Sequence, residues 1–131
     1  MNIIPESHHD LLEDNKRAFV YLATLMSNGT PQITPVWFDT DGDYILINSA
    51  RGRVKDRNMR KRPRVALCIA DPDDAYRYLQ IRGQVVEVTE QGAAEHINTL
   101  SLKYRGHAYD FQPGQVRIIY RILPERVDAH E

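Results

Sequence analysis

Cysteine is almost missing from this sequence. Its 131 residues contain one, Cys68, which excludes an internal disulfide. An apolar strand around Cys68 makes it a reduced core residue, as expected in the cytoplasm. Net charge is almost missing as well: 17 Lys and Arg stand against 18 Asp and Glu, for a formal charge of -1. That balance argues against bulk electrostatic binding to nucleic acid or to a membrane surface. No apolar run approaches the length of a bilayer span, and the first residues carry no apolar signal segment, so a cytoplasmic protein is expected. There is no Gly-x-Gly-x-x-Gly, no Gly-x-x-x-x-Gly-Lys and no Gly-x-Ser-x-Gly, hence neither phosphate loop nor nucleophile elbow. His, Cys and carboxylate residues nowhere fall at metal-ligand spacing. His8-His9 reads as an adjacent surface pair, and Asp71, Asp73 and Asp74 read as a turn. Repeats, linkers and low-complexity tracts are absent, which leaves one domain over residues 1–131 with a single modest core.

What the chain does have is a local concentration of positive charge. Arg51, Arg53, Lys55, Arg57, Arg60, Lys61, Arg62 and Arg64 place eight of the 17 basic residues in one short stretch. The stretch leaves one apolar run, Tyr44–Ile47, and leads into another, Val65–Ile69. Such a segment reads as an anion site held on a scaffold. Arg53, Lys55 and Arg57 alternate and are followed by Asn58, near the start of a helix predicted over Arg53–Arg62. There, backbone N–H groups and the helix dipole favour a phosphate. Arg offers bidentate contacts and Lys a point charge. Asn48, Ser49 and Ala50, small groups at a strand end, come just before. Arg60, Lys61, Arg62 and Arg64 read as solvated, or as contacts to a longer anionic tail. Trp37 and Phe38 would pack in the core by default. The wall Val36-Trp37-Phe38 can also carry a planar ring system whose phosphate reaches Arg53 and Lys55. Tyr76 and Tyr78 can close such a site from a partner subunit, or simply pack on the barrel surface.

The elements follow from periodicity and breakers. Pro5–Glu13 is predicted as a short helix. Strands are expected at Phe19–Met26, Gln32–Phe38, Tyr44–Ser49, Arg64–Ala70, Tyr76–Thr89 and Gln115–Leu123. Short hairpins join the first three. Gly83 marks a bulge or bend in the long fifth strand. Gln91–Tyr104 is predicted as a helix, Arg105–Gly114 as an irregular loop, and Glu125–Glu131 as a tail beyond Pro124. Six mostly antiparallel strands with three helices in the connections describe a small β-barrel with helical covers.

Taken in order, Leu22-Ala-Thr-Leu25, Gly29-Thr-Pro31, Thr34-Pro-Val-Trp-Phe38, Asn48-Ser49 followed by Arg53-x-Lys55-x-Arg57-Asn58, and Pro63-Arg-Val65 carry a resemblance. From about Ala18 to Val127 the sequence resembles the flavin-binding split-barrel superfamily that includes pyridoxamine 5'-phosphate oxidase. Within it, the chain is most similar to the small F420-dependent branch. The resemblance implies a six-stranded antiparallel split β-barrel and a homodimer with its cofactor, F420 or FMN, at the interface. It implies hydride transfer between that cofactor and a small electron-poor substrate such as an enone or quinone. By family position, Arg53, Lys55, Arg57 and Asn58 resemble the phosphate-binding group. Asn48, Ser49 and Ala50 resemble the strand edge beside the ring system, and Val36, Trp37 and Phe38 the wall beneath it. Tyr76 and Tyr78 sit where the partner subunit contributes.

The chain lacks the C-terminal substrate-binding extension, with its Arg and His, of true pyridoxamine-phosphate oxidases, which points away from pyridoxal-phosphate synthesis. No side chain is assigned as an obligatory acid or base; Tyr78, Tyr109 or a water can supply a proton. The alternative class is a carrier or sensor that binds flavin, F420 or haem without turnover. For haem, His96 and His107 are the candidate axial ligands. A nucleic-acid module using the basic helix is disfavoured by the net charge and by the lack of an aromatic–basic sheet motif.

Overall fold

The computed structural model describes residues 2–131. Two short 3₁₀ segments, Glu6–Leu12 and Asp14–Lys16, precede the strands. The chain then forms β1 (Val20–Leu25), β2 (Pro31–Val36), β3 (Phe38–Asp41), β4 (Tyr44–Ala50), α1 (Val54–Lys61), β5 (Arg64–Asp71), β6 (Asp74–Thr89), α2 (Ala93–Arg105) and β7 (Arg117–His130). All strands belong to one antiparallel sheet in the order β2-β1-β5-β6-β7-β4-β3. Its two edge strands, β2 and β3, are consecutive in the chain and separated by Trp37 alone. The sheet therefore curls back on itself into a split barrel, with the split at Trp37.

Period-2 alternation fills the interior. Val20 and Leu22 of β1, Ile45 and Ile47 of β4, and Ile118, Tyr120 and Ile122 of β7 are fully buried, and they form one cluster with Phe38, Leu67 and Ile81. At β6 the ladder brings Gly83 opposite Pro124. A Cβ at Gly83 would lie 2.6 Å from the Leu123 carbonyl oxygen, so this close approach of two strands requires glycine.

Several expectations change. The strands number seven among the described residues, because the predicted Gln32–Phe38 strand breaks at Trp37. There the chain leaves its pairing with β1 and starts pairing with β4. The first three strands are thus two hairpins at opposite edges of the sheet and not one meander. Residues after Pro124 are not a tail: β7 continues to His130. Pro124 is tolerated because the register shifts there, leaving Glu125 as an extra residue, and a bulge needs no ladder bond from the missing N–H. The N-terminal helix is 3₁₀, and His8 is not on the surface; it is 1% exposed, with Nε2 3.0 Å from the His130 carbonyl. Cys68 lies on the outward face of β5, half-buried, where burial pushes its thiol up. No helix among the described residues is long and apolar enough to cross a membrane.

Candidate functional site

The basic segment leaves β4 through a turn at Gly52, whose φ of 91° only glycine takes without strain. An acid inside the run anchors both this turn and the helix after it. Asp56, 2% exposed, accepts hydrogen bonds from the Gly52 N–H at 2.9 Å, from Arg60 Nε at 2.9 Å and from the Tyr120 hydroxyl of β7. Burial alone would push this carboxyl up; the three hydrogen bonds and the Arg60 charge outweigh it and hold it below the usual range. The Tyr120 hydroxyl is pushed up, by burial and then by Asp56. The Gly52 turn and the first turn of α1 are thereby fixed to the barrel.

Arg53 and Lys55 point into a cleft of about 240 Å³, lined further by Phe19, Pro35, Val36, Trp37, Asn48, Ile97, Leu100, Arg105, Tyr109 and Arg117. Arg117 is 7% exposed. Its Nε donates to Asn48 Oδ1 at 2.9 Å, its Nη1 donates to the Tyr109 hydroxyl at 3.1 Å, and its guanidinium lies 5.0 Å from the Tyr109 ring centroid. Among the described residues no carboxylate lies within 4.0 Å of Arg53, Lys55 or Arg117. Burial lowers the Lys55 ammonium, and Arg53 and Arg117 lower it further. Burial likewise lowers Arg117, with Arg53 adding to the effect. Three cations are held together against their own repulsion, a state that a bound dianion would relieve.

The opposite wall is aromatic. Trp37 stacks on Tyr104 with centroids 5.4 Å apart and planes 6° from parallel, and Arg105 lies 5.0 Å over its ring. Tyr104 is fixed by donating to the Ala18 carbonyl at 2.5 Å and by an edge contact with Phe19. Such a wall offers flat apolar surface beside concentrated positive charge.

Of the residues singled out in the sequence, Val36, Trp37, Asn48, Arg53 and Lys55 come together in this cleft. Phe38 is fully buried in the barrel; its carbonyl accepts from Lys103 Nζ at 3.0 Å. Ser49 and Ala50 are also buried, and the Ser49 hydroxyl has no partner among the described residues. Arg57 folds back to donate to the Gly52 carbonyl. Asn58 faces β1: its Nδ2 donates to Thr24 Oγ1 at 3.0 Å, and its Oδ1 accepts from Arg62 at 3.2 Å. Tyr76 is 80% exposed and Tyr78 stacks on His130; neither lines the cleft of its own chain. Of the two histidines, His107 is exposed and both ring nitrogens of His96 are engaged. Arg117, Phe19, Ile97, Leu100 and Arg105 are not marked as site residues by the sequence, whereas Pro35, which cannot donate to a ladder, marks an edge, a bulge or a side facing a ligand. Among those five the one available signal is Arg117, a charge in a strand otherwise rich in Ile.

Comparison with known proteins agrees with this architecture. The family model described as pyridoxamine 5'-phosphate oxidase matches residues 4–131. A solved structure described as an F420 reductase is 30% identical, with 95% of this chain and 98% of that one covered at a TM-score of 0.84. A conserved hypothetical protein from Mycobacterium tuberculosis is 23% identical, with 98% and 86% covered at a TM-score of 0.76. HupZ of Group A Streptococcus is 17% identical, with 96% and 93% covered at 0.69. The last two show the fold alone.

Proposed function

The chain belongs to the pyridoxamine 5'-phosphate oxidase family, and from that premise we propose that it is an F420-dependent, or else FMN-dependent, oxidoreductase acting on a small electron-poor substrate such as an enone or quinone. One observation carries the reading: three cations, Arg53, Lys55 and Arg117, without counterions among the described residues, lining an aromatic-walled cleft. The donor set fits a phosphorylated ring system. Those cations would hold the phosphate by charge-assisted hydrogen bonds, and Pro35, Val36 and Trp37 would exclude water from one side of the ring. The cofactor, when bound, supplies the hydride chemistry, and the protein positions it. Support for F420 over FMN comes from the likeness to a solved F420 reductase.

The proposal includes a homodimer with the cofactor at its interface. By ladder register, Pro35, Tyr21 and Cys68 share the outer face of β2-β1-β5 with Ile33, Ala23 and Ala66. Ile33 is 65% and Tyr21 43% exposed, so an apolar surface continues from the cleft at Pro35, bordered by Arg64 and Arg82. A second copy of the chain would cover it. Tyr76 and Tyr78 would then reach the partner's cleft rather than their own.

Titration of the purified protein with F420 and with FMN tests the binding, and oxidation of the reduced cofactor by a panel of enones and quinones tests the reaction. Tight binding of one cofactor and turnover with at least one acceptor are expected. Binding without oxidation by any acceptor would move the protein to the carrier class; no binding of either would remove the reading altogether. As a haem carrier the chain offers little, since His96 spends both ring nitrogens on protein partners.

A further inference from the structure

We infer that His96, backed by Asp39, is a positioning residue that keeps Arg117 available to an anion by fixing the side-chain amide of Asn48. This rests on the reading of the cleft as a phosphate site. Asn48 is buried where α2 covers β4. Its Nδ2 lies 2.9 Å from the Ala93 carbonyl and 3.0 Å from His96 Nδ1. A carbonyl only accepts, so the amide nitrogen is the atom that faces Ala93, and its second hydrogen goes to His96. His96 Nδ1 therefore carries no proton, and the ring's proton is on Nε2, which donates to Asp39 Oδ1 at 2.8 Å. The remaining amide atom, Oδ1, accepts from Arg117 Nε at 2.9 Å.

The chain of donors runs one way, from Arg117 through Asn48 and His96 to Asp39. Turning the Asn48 amide over would set its NH₂ against the Arg117 N–H and its oxygen against the Ala93 carbonyl. Both contacts would be repulsive in a buried seam. Asn48 thus takes only the Nε–H of Arg117. One further N–H goes to Tyr109, which leaves three of the five guanidinium donors without a partner among the described residues. A carboxylate in the place of Asn48 would instead have neutralised the guanidinium.

The seam did not need this network for packing. Leu46, Ala93 and Ile119 form an apolar cluster in the same layer, and a fourth apolar residue would have avoided burying three polar side chains. What sets the polar chain apart is its end point, a buried cation that lines the cleft and has no counterion among the described residues.

Binding of phosphorylated and phosphate-free ring systems by three variants tests this: FMN against riboflavin, and F420 against its phosphate-free deazaflavin, using the pair that the wild type binds. His96→Leu removes the acceptor for Asn48 and is expected to lower affinity for the phosphorylated ligand about tenfold, the size of one net hydrogen bond. The phosphate-free ligand should be unaffected, which a merely structural defect would not allow. His96→Gln offers Asn48 an oxygen and Asp39 an N–H, and should restore the affinity ratio to within about threefold. Asp39 lies on the more exposed side of the ring, so Asp39→Ala is expected to fold with its core intact; released from Nε2, the ring can place its proton on Nδ1, and the ratio should fall about threefold. An unchanged ratio in Asp39→Ala, or in His96→Leu, would overturn the inference, as would a Gln variant no better than Leu. A wild type that binds both members of each pair equally would instead remove the phosphate site, and this inference with it.

Discussion

Lys16 and Arg77, where the N-terminal segments meet the β5–β6 turn, live among acids. Arg77 is 2.6 Å from Asp10 and 3.0 Å from Asp71, and Lys16 is 3.3 Å from Asp71. Arg53, Lys55 and Arg117, at the other basic cluster, have no carboxylate within 4.0 Å among the described residues. The protonation equilibria move in opposite directions. Hydrogen bonds to Asp10 and then Asp71 push Arg77 up, whereas burial and then like charge push Lys55 down. The first cluster is closed on itself and ties the N-terminal segment to the sheet. The second is left open, at an energetic cost to the empty protein that only an external anion can offset. Density of charge does not separate the two; the presence of counterions does.

The largest expected effect breaks the open cluster. Arg53→Ala combined with Lys55→Ala should weaken binding of the phosphorylated cofactor by about a hundredfold or more, since each charge-assisted hydrogen bond contributes roughly 1.5–3 kcal/mol. Isothermal titration checks it, and unchanged affinity would exclude both residues from the site.

Next comes the acid that the basic run keeps for itself. Asp56→Asn should destabilise the protein by about 1–3 kcal/mol in denaturant titration, and should loosen the Gly52 turn that carries Arg53. Its pH signature has a definite sign. The Asp56 carboxyl is lowered in the folded state, so its contribution is present above the unfolded carboxylate value of about 3.9 and is lost as pH falls through the lower folded value. The wild type should therefore lose more stability than Asp56→Asn between about pH 4 and pH 2; parallel acid titrations would contradict this.

A smaller effect has opposite signs in the two clusters. Lys55→Met removes a half-buried cation from like-charged neighbours and should raise the stability of the cofactor-free protein by up to about 1 kcal/mol. Arg77→Met strips two acids of their partner and should lower the thermal midpoint without touching cofactor affinity. Equal signs in thermal melts would erase the distinction. The smallest effect is the control: Lys61→Ala, basic and exposed but outside the cleft, should change neither stability nor cofactor affinity measurably.

The parts of the site that the sequence made legible are the local ones. Arg53 and Lys55 are neighbours in the chain, and Val36-Trp37 sits in a stretch whose pattern survives any folding. Arg117 enters by a different route: the β4–β7 register sets it opposite Ala50, 67 positions away in the chain, and no local pattern encodes that pairing. Asn58 shows the converse. It comes directly after Arg57 in sequence, but the turn of α1 swings its side chain to Thr24 and Met26. The same contrast governs the fold. Strand positions followed from alternation, whereas the break at Trp37 and the run of β7 past Pro124 depend on which strands lie alongside. Proline reads as a stop until a bulge is seen to need no donor there.

The order of the sheet also dictates when the protein can become competent. β3 and β4 are hydrogen-bonded to the remaining strands only through β7, which lies between β4 and β6. Without that strand the ladders divide into two sets, β2-β1-β5-β6 and β4-β3, with no strand pairing between them. β7 comes after the other strands of the sheet in the chain, and pairings of large sequence separation form slowly because their loop entropy must be overcome first. Arg117 and Tyr120, the cation that completes the anion site and the hydroxyl that anchors Asp56, both ride on β7. The barrel and its charge cluster thus depend on one and the same strand. An anionic ligand offered to a chain truncated before β7 would find Arg53 and Lys55 present, but without Arg117 and without the Tyr120 hydroxyl that ties Asp56 to the barrel.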